Sequence, residues 1–213
     1  MKKAILAMIF TVASIVSLSA QEIGSIFLTA PENIIFGLEA AQKDLLISNP
    51  DDTTGVTVDR ETYGRIKRLA MSSDFISIQT SKAGTTQIKL LPLINDSKIV
   101  CVVKTVCGRD SICDSRIRFY TTKWLPIDQG DLFPEKNKDW FIKDDADREN
   151  QDFRNAYTAL DMDPMKMILS PSDNSLTLVY NIKNYLSEDD YKKIQPYLIE
   201  KPKIFNWDKS SYK

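Results

Sequence analysis

Apolar and polar residues alternate through the middle of the chain, and this two-residue period predicts β-strands. In residues 75–80 two isoleucines share one face of the predicted strand, and in residues 85–91 an isoleucine and a leucine do the same. The segment SKAG between these strands is typical of a turn. Two more β-rich runs follow at 98–107 and 117–123. Consecutive strands joined by short turns predict an antiparallel meander.

A helical period replaces the alternation towards the two ends of the chain. From Thr29 to Ile47 apolar residues recur at three- and four-residue intervals, and Pro31 suits a first turn, so this segment predicts one helix. Residues 153–160 predict a second, shorter helix. A third helix is predicted at 187–198, where Ser187 is placed to cap its N-terminus.

The C-terminal third of the chain also carries strand patterns. Residues 165–169 and 176–180 predict a hairpin, and residues 203–207 predict a last short strand. The stretch MSSDFISIQTS from Met71 resembles LSPSDNSLTLVYN from Leu169, which raises the hypothesis of a duplicated helix-plus-sheet unit. The alternative is that unrelated hairpins share a similar pattern.

These elements predict an α+β fold in which antiparallel β-meanders carry helices packed on one face. After a leader at 1–20, we predict a helix plus antiparallel sheet at 21–124, a polar connection at 125–152 and a smaller helix-plus-hairpin half at 153–213. The connection is rich in Pro, Asp, Lys and Asn. The two halves either form related units or pack together as one domain.

The first 20 residues have the composition of a secretory signal peptide. Lys2 and Lys3 precede an apolar run, and small residues follow it up to Ala20, so we predict cleavage between Ala20 and Gln21. The alternative is an uncleaved anchor, but the apolar run is shorter than the roughly 20 residues that a spanning helix needs. We therefore expect an exported protein, periplasmic or extracellular, with no membrane span after cleavage.

Composition narrows the chemistry that the chain is able to perform. The net charge is −1, and the sequence has no basic stripe of the kind that binds nucleic acid. The chain contains no histidine, which removes Ser-His-Asp catalysis, Cys-His catalysis and every histidine metal ligand. An enzyme here would rely on carboxylates, lysine, tyrosine or serine. Nothing in the sequence predicts a cofactor.

All three cysteines lie in the stretch CVVKTVCGRDSIC at 101–113. If the predicted hairpin is symmetric, Cys107 faces Cys113 at its mouth, whereas Cys101 and Cys107 lie about 20 Å apart on one strand. A disulfide usually joins residues whose Cα atoms are about 4.4–6.8 Å apart, far less than about 20 Å, so we predict a bond between Cys107 and Cys113 and a reduced, buried Cys101. A metal site and a redox centre are the alternatives, although the spacing lacks the close cysteine pairs that both use.

The other face of the same hairpin carries basic and aromatic residues, which we name the candidate binding face: Lys104, Arg116, Arg118, Tyr120 and Trp124. In the predicted register Lys104 lies opposite Arg116, and like charges directly opposite each other destabilise a sheet. Either a neighbouring acid compensates them, or the face binds an anionic group such as a carboxylate of a partner. The alternative is a solvated face with extended arginine side chains.

Two acidic stretches invite further hypotheses. DDADRENQD at 144–152 suggests a calcium loop, but an EF-hand here would require glycine and glutamate where Asn150 and Ala156 stand. A solvated acidic connection is the simpler interpretation. Asp161 and Asp163 form a D-x-D pair, a pattern too common to predict catalysis. Neither stretch predicts a metal site.

Four short motifs are distinctive: KLLPL at 89–93, TVCG at 105–108, DSRIRFYTTKW at 114–124 and the closing pattern YL…KP…W from Tyr197 to Trp207. Together they resemble a family of exported proteins from Bacteroidales whose function is unknown. The resemblance covers most of the chain, and it implies no activity, cofactor or catalytic residue.

The sequence therefore favours an exported, non-catalytic module that binds a protein or a cell-envelope component. The alternative function is a periplasmic hydrolase that uses two carboxylates. If it cleaved glycosides, such an enzyme would need a pocket with carboxylates roughly 5–9.5 Å apart.

Overall fold

A computed structural model of the protein describes residues 21–49, 55–61 and 64–213. The predicted signal peptide at 1–20 lies outside the described residues. Within the described ranges the fold is α+β, as predicted, with ten strands in two antiparallel sheets and five short helices.

The larger sheet is a seven-stranded meander in which each strand pairs antiparallel with the next along the chain. Its strands are β1 (Thr57–Arg60), β2 (Gly64–Met71), β3 (Phe75–Gln79), β4 (Gly84–Pro92), β5 (Lys98–Cys107), β6 (Cys113–Thr121) and β7 (Pro126–Ile127). The sequence predicted β3 to β6 and missed β1 and β2. In β2 one of the buried positions is Arg68, whose guanidinium donates to the carbonyls of Leu46 and Ser48, so the apolar alternation is absent there.

The smaller sheet has three antiparallel strands, with β9 in the centre. Its strands are β8 (Met165–Leu169), β9 (Ser175–Tyr180) and β10 (Lys203–Asn206), close to the predicted bounds. The two stretches that suggested a duplication have the same local structure: each is a tight turn that leads into the second strand of a hairpin, β2–β3 or β8–β9. The two stretches therefore share one local hairpin pattern.

Strand β8 lies at the edge of the smaller sheet and contacts the larger one. Three of its backbone N–H groups donate to side chains of the larger sheet rather than to another strand. The bonds run from Met165 to Asp114 at 3.2 Å, from Met167 to Ser115 at 2.9 Å and from Leu169 to Gln87 at 2.8 Å. The two sheets are therefore joined by polar bonds as well as by the core between them.

The helices are α1 (Gln21–Leu28), α2 (Ala40–Ile47), α3 (Gln151–Tyr157), α4 (Ile182–Tyr185) and α5 (Glu188–Ile194). Among the described residues the longest helices have eight residues, far fewer than the roughly 20 that span a membrane. In α5 the Ser187 side chain accepts from the N–H of Asp190, as predicted.

The prediction of one helix from Thr29 to Ile47 was wrong. Helix α1 ends before this segment, and residues 29–39 form turns in which Gly37 has a left-handed φ of 68°. Such a φ interrupts a right-handed helix, and glycine adopts it without a steric penalty. Helix α2 then begins anew, and the Gln42 side-chain oxygen accepts from the N–H of Glu39 at 3.0 Å.

The larger sheet lies in the middle of the molecule, with a different layer on each face. One face packs against α1, α2 and the turns between them, and the other face packs against the smaller sheet. The polar connection at 125–152 contributes to the core, because Phe133, Phe141 and Ile142 are buried. Helices α3 to α5 form a separate small cluster around Ile142.

Candidate binding face

The β5–β6 hairpin has the register that the sequence predicted: Cys107 pairs with Cys113, and Lys104 pairs with Arg116. On the face that packs against the smaller sheet, which we name the covered face, Cys101 and Phe119 lie in the core. Cys107 and Cys113 form a disulfide at the turn end of the hairpin, with Cα atoms 4.0 Å apart.

Cys101 is the free cysteine, and it is fully buried. Burial raises the pKa of its thiol far above the usual range, and the Tyr212 hydroxyl beside it lowers that pKa by less. The thiol is therefore protonated at ordinary pH, whereas redox and metal chemistry both use the thiolate. Cys101 serves as a small apolar residue of the core.

The opposite face of the hairpin, which we name the open face, carries the predicted basic residues. Lys104, Arg116 and Arg118 are exposed there, beside the buried ring of Tyr120. These four side chains line one groove of about 450 Å³. The strand alternation accounts for their convergence, because residues two apart on a strand point to the same side.

The wall of this groove also contains residues that were not predicted as part of the candidate binding face. Val102 and Val106 share the face by strand alternation, so the predicted register was enough to find them. Asn33 comes from the turns between α1 and α2, and its carbonyl accepts from the Lys104 ammonium at 2.8 Å. No local pattern signals a contact between residues so far apart in the chain.

The positive charges of the groove are not neutralised by the acid that lies nearest in the sequence. Asp114 also lines the groove, but its carboxylate pairs with Lys136 at 2.7 Å. The guanidinium groups of Arg116 and Arg118 have no hydrogen bond or ion pair with any residue in the described ranges. Partial burial, and then the charge of Arg118, lowers the pKa of the Lys104 ammonium. The groove is therefore an electropositive site with free donor capacity.

Trp124 lies beside this groove, on the turn that follows β6. Its φ is 62°, an unusual value for a bulky residue. The indole N–H points towards α1, with the Ile26 carbonyl at 3.3 Å and the Thr29 hydroxyl at 3.2 Å. The ring lies 5.7 Å from that of Tyr120, centroid to centroid. These contacts fix the indole in one position.

A second cavity, of about 370 Å³, adjoins the first. Trp124, Pro126 and Ile127 form its apolar wall. Asn33, Arg118 and Tyr120 line both cavities. The structure thus brings all five predicted residues to one surface, with a basic part and an apolar part that meet at Arg118.

The acidic stretches have structural roles. In the stretch at 144–152, the side-chain oxygens of Asp147 and Asn150 accept from the N–H groups of Glu149 and Asp152, which builds the N-terminus of α3. Farther on, Asp161 interacts with Tyr185, and Asp163 interacts with Tyr180 and two lysines. Burial raises the pKa of Asp163. The two carboxyls therefore have different neighbours.

A third groove, of about 560 Å³, lies beside α2 and bears on the hydrolase alternative. Glu32, Glu39 and Glu61 line it together with Lys43. All three glutamates are exposed. A general acid needs a raised pKa, which enzymes obtain by burying the carboxyl. The three glutamates of this groove are not buried in that way.

The architecture defines an α+β protein built on a seven-stranded antiparallel meander, with a basic and aromatic groove on one face. The sequence model of the family described as protein of unknown function DUF3256 matches residues 15–212, so the chain belongs to that family. This match confirms the resemblance inferred from the motifs.

A solved structure supports the same fold. A domain of an uncharacterized protein from Porphyromonas gingivalis W83 is similar, with a TM-score of 0.79 and 25% sequence identity. The alignment covers 90% of this chain and 96% of that domain's chain. No curated protein matches the chain at a significant level.

Proposed function

We propose that the chain is an exported, non-catalytic module, and that its candidate binding face binds an anionic group of a partner protein or cell-envelope component. The observation that carries the proposal is the state of Arg116 and Arg118. Both are exposed on one face of a paired strand, and neither guanidinium bonds to a described residue. Guanidinium groups present several donors in a fixed plane, a geometry that matches carboxylate and phosphate.

The surroundings of the arginines support the same proposal. Lys104 and Arg116 lie directly opposite each other, an arrangement that costs stability when nothing compensates the charges. A bound anion would lower the repulsion among Lys104, Arg116 and Arg118. Tyr120 and Trp124 supply apolar surface next to the charges, a combination that is frequent at protein interfaces.

A capture experiment tests this function. The immobilised protein would be incubated with envelope extract, in parallel with the double variant Arg116→Glu/Arg118→Glu. The matched control is Lys82→Glu/Lys201→Glu, which changes the net charge equally at two exposed positions outside both cavities of the face. We expect a ligand that the wild type and the control retain and the arginine variant loses. Equal retention by all three proteins would contradict the proposal.

The exported location is a separate part of the proposal. It is supported by Lys2, Lys3 and the apolar run that follows them, and a disulfide is compatible with an oxidising compartment. Mass spectrometry of the protein from the envelope fraction tests it. We expect a mature N-terminus at Gln21, and a chain that begins with Met1 in that fraction would contradict the cleavage.

A further inference from the structure

We propose that the ligand of the candidate binding face is an extended acidic segment of a partner protein, in which carboxylate side chains alternate along one face and an apolar side chain follows at the same spacing. This inference rests on the proposed function and specifies the ligand that it requires.

The spacing of the groove matches an extended peptide. Arg116, Arg118 and Tyr120 follow one another at two-residue intervals on one face of β6. Such intervals measure about 6.6 Å along a strand. The same-face side chains of an extended peptide have this spacing too, so a peptide that runs along β6 places one side chain opposite each of the three positions.

The chemistry changes along the groove in the order of those positions. At one end Lys104, Arg116 and Arg118 provide cationic donors, of which the two arginines have no partner among the described residues. At the other end Trp124, Pro126 and Ile127 wall the apolar cavity. Carboxylates suit the first end and an aromatic or aliphatic side chain suits the second.

The groove is formed before a ligand arrives. Asn33 lines both cavities from the side opposite the hairpin, and its carbonyl bonds to Lys104 at 2.8 Å. The Trp124 indole is fixed by its contacts with α1. Little conformational entropy is therefore lost in ordering these walls when a ligand binds, which favours binding of a short segment.

Fluorescein-labelled peptides with Gly-Ser flanks serve as probes. Because the geometry does not set the direction of the peptide, both ESESF and FSESE are measured by anisotropy. EESSF and FSSEE keep the composition and lose the spacing, ESESS lacks the apolar residue, and KSKSF reverses the charge. Peptidoglycan sacculi and phosphatidylglycerol vesicles serve as non-peptide anionic probes in co-sedimentation. We expect one alternating peptide to bind at least about tenfold more tightly than every control probe.

Variants of the protein assign each part of the peptide to its cavity. Arg116→Ala/Arg118→Ala should weaken binding of the alternating peptide about tenfold or more. Pro126→Ser should weaken the peptide that contains phenylalanine about threefold and leave ESESS unchanged, because Pro126 lines the apolar cavity and pairs with Tyr120 on the open face. Leu125→Ser is the matched control, because Leu125 is exposed in the same turn and lines neither cavity. A thermal melt of each variant checks that it is folded at the assay temperature.

The outcomes separate the inference from the function on which it rests. Binding that depends on the arginines but not on spacing, or binding of sacculi or vesicles alone, would overturn the peptide inference and retain the anion-binding function. Equal weakening of both peptides by Pro126→Ser would also overturn the inference. Unchanged binding of every probe by the arginine variant would overturn both.

Discussion

The two faces of the β5–β6 hairpin are built from alternate residues of the same strands, yet they differ in side-chain burial and in charge. The covered face contains Cys101, Val103 and Phe119, all buried under the smaller sheet. On the open face, buried Val102 is followed by exposed Lys104 two residues along β5, and exposed Arg118 is followed by buried Tyr120 two residues along β6. One hairpin can therefore hold the core together on one side and leave charged groups free on the other.

Comparison of one lysine on each face shows how burial changes the partner that a charged group requires. Lys89 pairs with Cys101 across the sheet and is on the covered face, where its side chain is 1% exposed. Its ammonium lies 2.9 Å from the Asp74 carboxylate, an ion pair whose geometry is not that of an aligned hydrogen bond. Among the described residues, the Lys104 ammonium on the open face bonds to the carbonyl of Asn33. A charge needs a counter-charge where water is absent, and it remains available for a ligand where water is present.

The largest expected effect on the free energy of unfolding comes from a substitution on the covered face. Phe119→Ala removes a ring that is 1% exposed, and we expect it to lower the free energy of unfolding by about 3–5 kcal/mol. Arg118→Ala, one residue earlier and on the open face, should change that free energy by less than about 0.5 kcal/mol. Urea unfolding followed by tryptophan fluorescence measures both. Similar losses from the two variants would mean that the faces do not divide the roles in this way.

The buried ion pair gives the next largest effect. Asp74→Ala leaves the Lys89 ammonium without its counter-charge, and we expect a loss of about 2–4 kcal/mol, because Asp74 is itself one-third exposed. Lys89→Met/Asp74→Ala, which removes both charges, should recover much of that loss. The same urea experiment decides it. A double variant no more stable than Asp74→Ala would show that the lysine contributes more than its charge.

The disulfide at the end of the covered face contributes less. Cys107→Ser/Cys113→Ser opens a short loop, so the free energy of unfolding should fall by at most about 2 kcal/mol and the fold should persist. Thiol counting on the denatured wild type should find one free thiol, at Cys101. Three free thiols in protein extracted without reductant, or a disulfide that involves Cys101, would contradict the assignment.

The smallest effect concerns the open face and leaves stability nearly unchanged. Arg118→Ala should raise the pKa of Lys104, because it removes the positive charge that lowers it, while burial keeps the pKa below its usual value. NMR titration of the lysine side chain measures this. In the wild type the folded-state pKa is below the unfolded one, so the penalty on the protonated ammonium is present at low pH. It disappears as the pH rises from the folded to the unfolded pKa.

Part of this arrangement was predictable from the sequence because it depends on local rules. Strand alternation and a short turn predicted that Cys107 faces Cys113 and that Lys104 faces Arg116, and the structure confirms both. The same alternation put Arg116, Arg118 and Tyr120 on one side.

The rest depends on contacts between distant segments, which no local period encodes. Arg68 lies in the core because its guanidinium donates to carbonyls of α2 and of the residues that follow α2. This buried arginine interrupts the apolar alternation, so the sequence did not predict β2. Asn33 reaches Lys104 across 71 residues of chain. The groove as a cavity, with its second wall, was therefore not predictable, although the residues of its first wall were.

The bonds that join β8 to the larger sheet have a consequence for the order in which the chain folds. They link residues 51, 52 and 82 positions apart, whereas each strand of the meander pairs with its neighbour along the chain. Local contacts form quickly, and contacts that close long loops form slowly. We therefore expect the meander to fold first and the smaller sheet to dock last. Ser115→Ala should accordingly speed unfolding more than it slows folding in stopped-flow kinetics. In this order the disulfide-bonded hairpin is already folded when the strands of the smaller sheet pack against it.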